Sequence, residues 1–142
     1  MISIIPISWL LIASTVLVHC MGLAVILWIL LKLASVEMGI IKTAWRLNSL
    51  VWWIIVLHMI EILIWGLFYW WQECFSNFEI AFYFSAVTYT TIGYGDILLP
   101  VEWRMLAPIQ GLTGILLCGL SAAVFFAVVS YLHKMNMEID ND

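Results

Sequence analysis

The sequence predicts an all-α membrane protein with three transmembrane helices and one re-entrant helix. Of its 142 residues, 65% are hydrophobic and only 10% charged, whereas about 25% is usual for a soluble domain. Three apolar runs reach the roughly 20 residues that a helix, rising about 1.5 Å per residue, needs to cross about 30 Å of hydrocarbon. Between the last two runs lies a further apolar segment that is too short to cross.

From Met1 to Leu31 the one ionisable side chain is His19, and Lys32 ends the run. The run lacks a basic start and is too long for a cleaved signal peptide, and no small-residue cleavage site follows it. It is therefore expected to be a retained helix. The second run, about 48–71, carries His58 and Glu61, and the third covers about 105–133. The short segment is 78–90. Non-helical backbone at membrane depth survives only where it is buried in protein or lines a water-filled path. A short helix followed by Gly-rich backbone therefore points to a pore.

Residues 35–47 connect the first two runs. Val36, Ile40, Ile41 and Ala44 fall at helical spacing there, with Lys42 and Arg46 elsewhere on the wheel. The segment reads either as a helix lying on the membrane surface or as a plain connector. Four of the five Lys and Arg residues, Lys32, Lys42, Arg46 and Lys134, fall on one side of the membrane, against Arg104 on the other. The positive-inside rule then puts the N-terminus outside and the C-terminus in the cytoplasm of a multi-pass cell-membrane protein. Trp9, Trp70 and Trp71 fall at the outer interface and Trp28, Trp45, Trp52 and Trp53 at the inner one.

A net charge of −4 argues against a nucleic-acid partner, because phosphate binding needs clustered Lys and Arg. Three cysteines, Cys20, Cys74 and Cys118, are an odd number, and two of them lie in apolar runs, so no disulfide framework is expected. There is no nucleophile arrangement and no cofactor loop. The expectation is a protein that is not an enzyme, with no catalytic residues and no cofactor.

The chemistry is carried by Thr90-Thr91-Ile92-Gly93-Tyr94-Gly95-Asp96, directly after the short segment. It resembles the selectivity filter of the potassium channels, Thr-Val-Gly-Tyr-Gly. The resemblance covers about 48–134: an outer helix 48–71, a pore helix 78–90, a filter 91–96 and an inner helix 105–133. Residues 1–34, an additional N-terminal helix, lie outside it, and 135–142 are expected to form a short cytoplasmic tail, too short for a nucleotide- or calcium-binding domain. No span carries repeated Arg, so no voltage sensor is expected.

The residue types have a physical reason. A potassium ion that sheds water needs equivalent oxygen ligands, which backbone carbonyls supply if they all point inward. Gly93 and Gly95 permit that conformation because they lack a Cβ. The Thr91 hydroxyl adds a ring of ligands, so K+ is expected at Thr91, Ile92, Gly93 and Tyr94. Ile92 and Tyr94 are expected to turn outward against the pore helix, and Asp96 to concentrate cations at the mouth. One filter strand per chain implies a homotetramer around one axis, with lipid and K+ as its other partners. A different reading is a non-conducting, modulatory subunit that assembles with other pore-forming chains.

Tyr83 stands where many members of that family carry Trp and is expected to hydrogen-bond Asp96. Val87 takes a place where one bacterial branch has a buried Glu, and it supports the filter together with Thr90. Gly114 and Gly119 match the region where inner helices of such channels bend, although small-residue packing is the other explanation. The family register turns Ile115, Cys118, Ala122, Phe126 and Ser130 toward the axis, with Phe126 as the gate.

His19, His58 and Glu61 fall near mid-membrane. Because the first two spans are antiparallel, His19 and Glu61 lie at matching depth, and His58 and Glu61 share a helix face. A cluster is expected where the first helix docks on the second. It reads as a neutral hydrogen-bonded clamp, a proton sensor or a metal site.

Overall fold

A computed structural model describes residues 4–33 and 39–139. Helix α1 is Ile4–Leu33, α2 is Ile40–Trp71, α3 is Phe78–Tyr89 and α4 is Leu106–Ile139, with a 3-10 turn at Val101–Trp103. Three of the helices are long and apolar enough to cross a membrane. The 12-residue α3 is not.

Two helices run further than the hydropathy runs implied. Helix α2 begins at Ile40 instead of 48, so residues 40–47 continue the span, and 34–38 lie outside the described residues. Lys42 and Arg46 end the apolar run but not the helix, because Lys and Arg are good helix formers and no Gly or Pro lies between Gly39 and Asn48. Helix α4 continues past Lys134 to Ile139 for the same reason.

Helix α3 starts at a defined cap. The Asn77 side chain accepts a hydrogen bond from the Ile80 amide at 2.9 Å, and Glu79 sits in the first turn. Both satisfy the positive, donor-rich end of a helix.

In hydrocarbon no hydrophobic force draws helices together, so close packing and polar bonds decide the arrangement. Both are visible between α1 and α2. Trp65 Nε1 donates to Thr15 Oγ1 at 3.0 Å, His19 meets Glu61, and a Cβ on Gly22 would lie 2.5 Å from Leu57 Cδ1. The pairs 15/65, 19/61 and 22/57 step in opposite directions about one turn at a time, which fixes an antiparallel register. Gly66 plays the same part between α2 and α3, where a Cβ would lie 3.2 Å from the Phe82 backbone.

Apolar packing divides into two ends. At one end Leu11, Trp65, Tyr69, Ala81, Phe84, Leu99 and Leu106 join all four helices. At the other, Ile26, Leu50, Val128 and Leu132 join α1, α2 and α4. The start of α1 therefore lies at the same end as α3. Trp9, Trp28, Trp45, Trp52, Trp53, Trp70 and Trp71 are all exposed on the outside of the bundle.

Candidate functional site

The chain leaves α3 through a tight, hydrogen-bonded turn. The Thr91 amide donates to the Thr88 carbonyl at 3.0 Å, and the Ile92 and Gly93 amides both donate to the Val87 carbonyl, at 3.0 and 3.2 Å. The Thr90 hydroxyl donates to the Ala86 carbonyl at 2.8 Å. Residues 91–93 thus rest on the last turn of α3, whose C-terminal end is the negative end of its dipole.

Beyond this turn the backbone alternates. Thr91 has φ +61°, Gly93 +55° and Gly95 +75°, while Ile92 and Tyr94 stay at negative φ. In an extended strand successive carbonyls point to opposite sides. Left-handed backbone at every second residue turns alternate peptide planes over and brings the carbonyls to one side. Glycine adopts that conformation freely, whereas Thr91 carries strain of the order of 1–3 kcal/mol. The Asp96 carboxylate accepts from the Tyr83 hydroxyl at 2.8 Å, which ties the far end of the segment back to α3.

Ile92 and Tyr94 are 55% and 70% exposed. The expected packing against the pore helix is therefore not made by the chain's own α3. That helix ends beneath the segment and reaches it through backbone bonds at residues 91–93 and the Tyr83–Asp96 bond, so Ile92 and Tyr94 are left exposed in the protomer. Behind the segment is a cavity of about 420 Å³ lined by residues that include Tyr83, Val87, Gly93, Asp96 and Pro108.

On α4, Ile115, Cys118, Ala122, Phe126 and Ser130 are all exposed, Phe126 at 72%. They form one stripe of a helix that runs without a break past Gly114 and Gly119. The two glycines differ in their surroundings. A Cβ on Gly114 would collide with the Tyr89 carbonyl, whereas one on Gly119 would meet nothing within 4 Å.

The three buried ionisable groups come together. His19 Nδ1 lies 2.7 Å from Glu61 Oε1, and His58 Nδ1 lies 3.1 Å from Glu61 Oε2, with His19 and Glu61 fully buried. These side chains could in principle hold a metal ion, but the facing atoms bond one another at hydrogen-bond distance and are already committed.

Two further members were not anticipated. The Tyr89 hydroxyl donates to Glu61 Oε2 and lies 2.8 Å from His58 Nδ1. The Ser121 hydroxyl lies 3.1 Å from His58 Nε2 and 3.5 Å from His19 Nε2. A second buried chain of bonds was also missed: Tyr69 to Gln110 at 2.9 Å, Gln110 to the Ser85 hydroxyl at 2.7 Å, and Ser85 to the Ile62 carbonyl at 2.7 Å. Gln110, a lone amide inside an apolar span, was the one sequence signal for it.

Cys74, in the α2–α3 connection, has its thiol pushed up to about 11, first by burial and then by the Glu102 carboxylate. It stays protonated at neutral pH and is a poor nucleophile.

Three membrane-length helices and a short helix followed by backbone of alternating φ sign are the architecture expected of a pore-loop membrane protein. The ion channel family model matches residues 57–131, just over half of the chain. The chain belongs to that family, an ion channel of the potassium-channel type. No curated protein and no solved structure matches the chain.

Proposed function

We propose that the chain is the subunit of a homotetrameric, potassium-selective channel that conducts K+ passively through residues 91–96. The observation that carries this reading is the alternation of positive and negative φ across Thr91, Ile92, Gly93, Tyr94 and Gly95. Four such strands around one axis give stacked rings of carbonyl oxygens, with the Thr91 hydroxyls as the lowest ring, and these replace the hydration shell of the ion. The C-terminal ends of four α3 helices add negative potential below the rings. Asp96, held by Tyr83, adds charge at the mouth.

The tetramer gives Ile92 and Tyr94 the neighbours that they lack in one protomer, and it turns the exposed α4 stripe toward a central cavity. Phe126 is the narrowest side-chain ring on that stripe and closes the path by dewetting. The N-terminus faces outward, and the end of the bundle that holds Lys32, Lys42, Arg46 and Lys134 faces the cytoplasm, in keeping with their charge.

The test is ion flux from purified protein in liposomes. A potassium gradient is expected to discharge, and an equal sodium gradient to persist. Discharge of both at the same rate, or of neither, would contradict this function.

A further inference from the structure

The hydrogen bonds of the buried cluster close into a ring, and that ring has a proton count. Glu61 Oε1 faces His19 Nδ1, Glu61 Oε2 faces the Tyr89 hydroxyl and His58 Nδ1, and Ser121 Oγ stands between the two Nε2 atoms. A carboxylate only accepts, so His19 carries its proton on Nδ1. Tyr89 donates to Glu61, so its oxygen accepts from His58 Nδ1–H. The two Nε2 atoms are left, with the single hydroxyl proton of Ser121 between them.

With both imidazoles neutral, that proton satisfies one Nε2 and leaves the other without a donor, and the cluster carries the whole charge of Glu61. One additional proton changes both conditions. One imidazolium Nε2–H donates to Ser121 Oγ, Ser121 donates to the other Nε2, and every position in the ring is bonded. The net charge becomes zero, the favoured condition in a medium where an unpaired buried charge is costly. A relay in which His19 Nε2 passes its proton to Ser121 Oγ while Ser121 passes its own to His58 Nε2 moves the imidazolium from His19 to His58 and leaves the other bonds of the ring in place.

The ring touches the candidate filter through one residue. Tyr89 is the last residue of α3 and directly precedes Thr90 and Thr91. The carbonyls of Val87 and Thr88, in the same turn, hold the amides of residues 91–93. The Tyr89 carbonyl also abuts Gly114 of α4. We propose that His19, His58, Glu61, Tyr89 and Ser121 form a proton-binding ring. Its one exchangeable proton, shared by the two histidines, fixes Tyr89 and thereby the base of the filter. This rests on the reading of residues 91–96 as that filter.

Every helix contributes to the electrostatics of the ring. Helix α1 brings His19, α2 brings His58 and Glu61, α3 brings Tyr89, and α4 brings Ser121 and the Cys118 thiol, which lies within electrostatic reach of Glu61. Alkaline pH removes the shared proton, leaves an unsatisfied Nε2 and the charge of Glu61, and loosens the hold on Tyr89.

The experiment uses the full chain reconstituted in lipid, with two readouts between about pH 5 and about pH 9, a range that brackets the ordinary histidine window of about pH 5 to 8. Nitrogen NMR of histidine-labelled protein is expected to show one imidazolium per protomer distributed over His19 and His58, with exposed His133 as internal reference. Open probability in symmetric potassium is expected to fall about tenfold as that imidazolium is lost. Tyr89→Phe keeps the imidazolium, because His58 Nδ1 still reaches Glu61, and flattens the pH response to less than about twofold.

Ser121→Ala leaves Glu61 and Tyr89 in place and cuts the bridge between the Nε2 atoms. It is expected to confine the proton to one histidine and to move the midpoint of the current by about one pH unit. Two neutral imidazoles throughout, a wild-type response in Tyr89→Phe, or an unmoved midpoint in Ser121→Ala would each overturn the proposal. A channel that passes potassium with a flat pH profile overturns it while sparing the filter. A protein that passes no potassium overturns the filter reading instead, and the NMR result still decides the ring.

Discussion

His19 and Glu61 are 42 residues apart in the chain and 2.7 Å apart in the fold, with no exposure of either side chain. The contact couples α1, which lies outside the matched family region, to α2 within it. It therefore accounts for how an extra helix is held on a pore-loop core.

Breaking a buried ionic contact by removing one partner typically costs about 3–5 kcal/mol, because the other is left uncompensated. His19→Ala and Glu61→Gln are each expected to lower the melting temperature of the assembled protein in detergent. The double variant is expected to recover part of the loss, with a coupling energy of about 0.5–3 kcal/mol. Strict additivity would mean that the two side chains do not act on each other.

Gly114 and Gly119 are expected to part company. Gly114→Ala drives a Cβ into the Tyr89 backbone, and overpacking of this kind costs about 1–3 kcal/mol. Gly119→Ala meets nothing within the protomer and gains up to about 1 kcal/mol of helix propensity. Thermal melting of the two variants side by side checks this. Equal destabilisation would remove the close-packing account of Gly114. A change in open probability confined to Gly119→Ala would assign the bend to that position.

Phe126 is 72% exposed on the α4 stripe, at a distance from the α3 end of the bundle. As the proposed gate, it should yield a higher open probability when cut back to Ala, since four rings leave the axis. Phe126→Cys should react with aqueous thiol reagents when the channel is open. Failure to react in either state would place the residue off the conduction path.

Much of this architecture is legible in the residues themselves. Hydropathy marks the three spans, and the shortness of 78–90 marks the re-entrant helix, because a bilayer enforces both lengths. Helix ends are less legible: Lys42 and Arg46 interrupt apolarity without interrupting backbone hydrogen bonding. His19, His58 and Glu61 stand out because ionisable groups are rare in apolar runs. Tyr89, Ser121, Ser85 and Thr15 do not, since hydroxyl residues are common in spans and only tertiary contact reveals their partners. The surroundings of Ile92 and Tyr94 are not legible either, because both side chains are exposed within the protomer and the proposed tetramer is what would supply their neighbours.

The central claim is that Thr91 to Gly95 select potassium through backbone carbonyls, and the reversal potential with potassium on one side and sodium on the other tests it most directly. Wild-type protein in a planar bilayer is predicted to reverse far from zero, toward the potassium equilibrium potential. Tyr94→Asp, which removes the aromatic ring beside the carbonyls while leaving Gly93 and Gly95 in place, is predicted to reverse close to zero. A wild-type reversal potential near zero, or one that Tyr94→Asp leaves unmoved, would contradict the account.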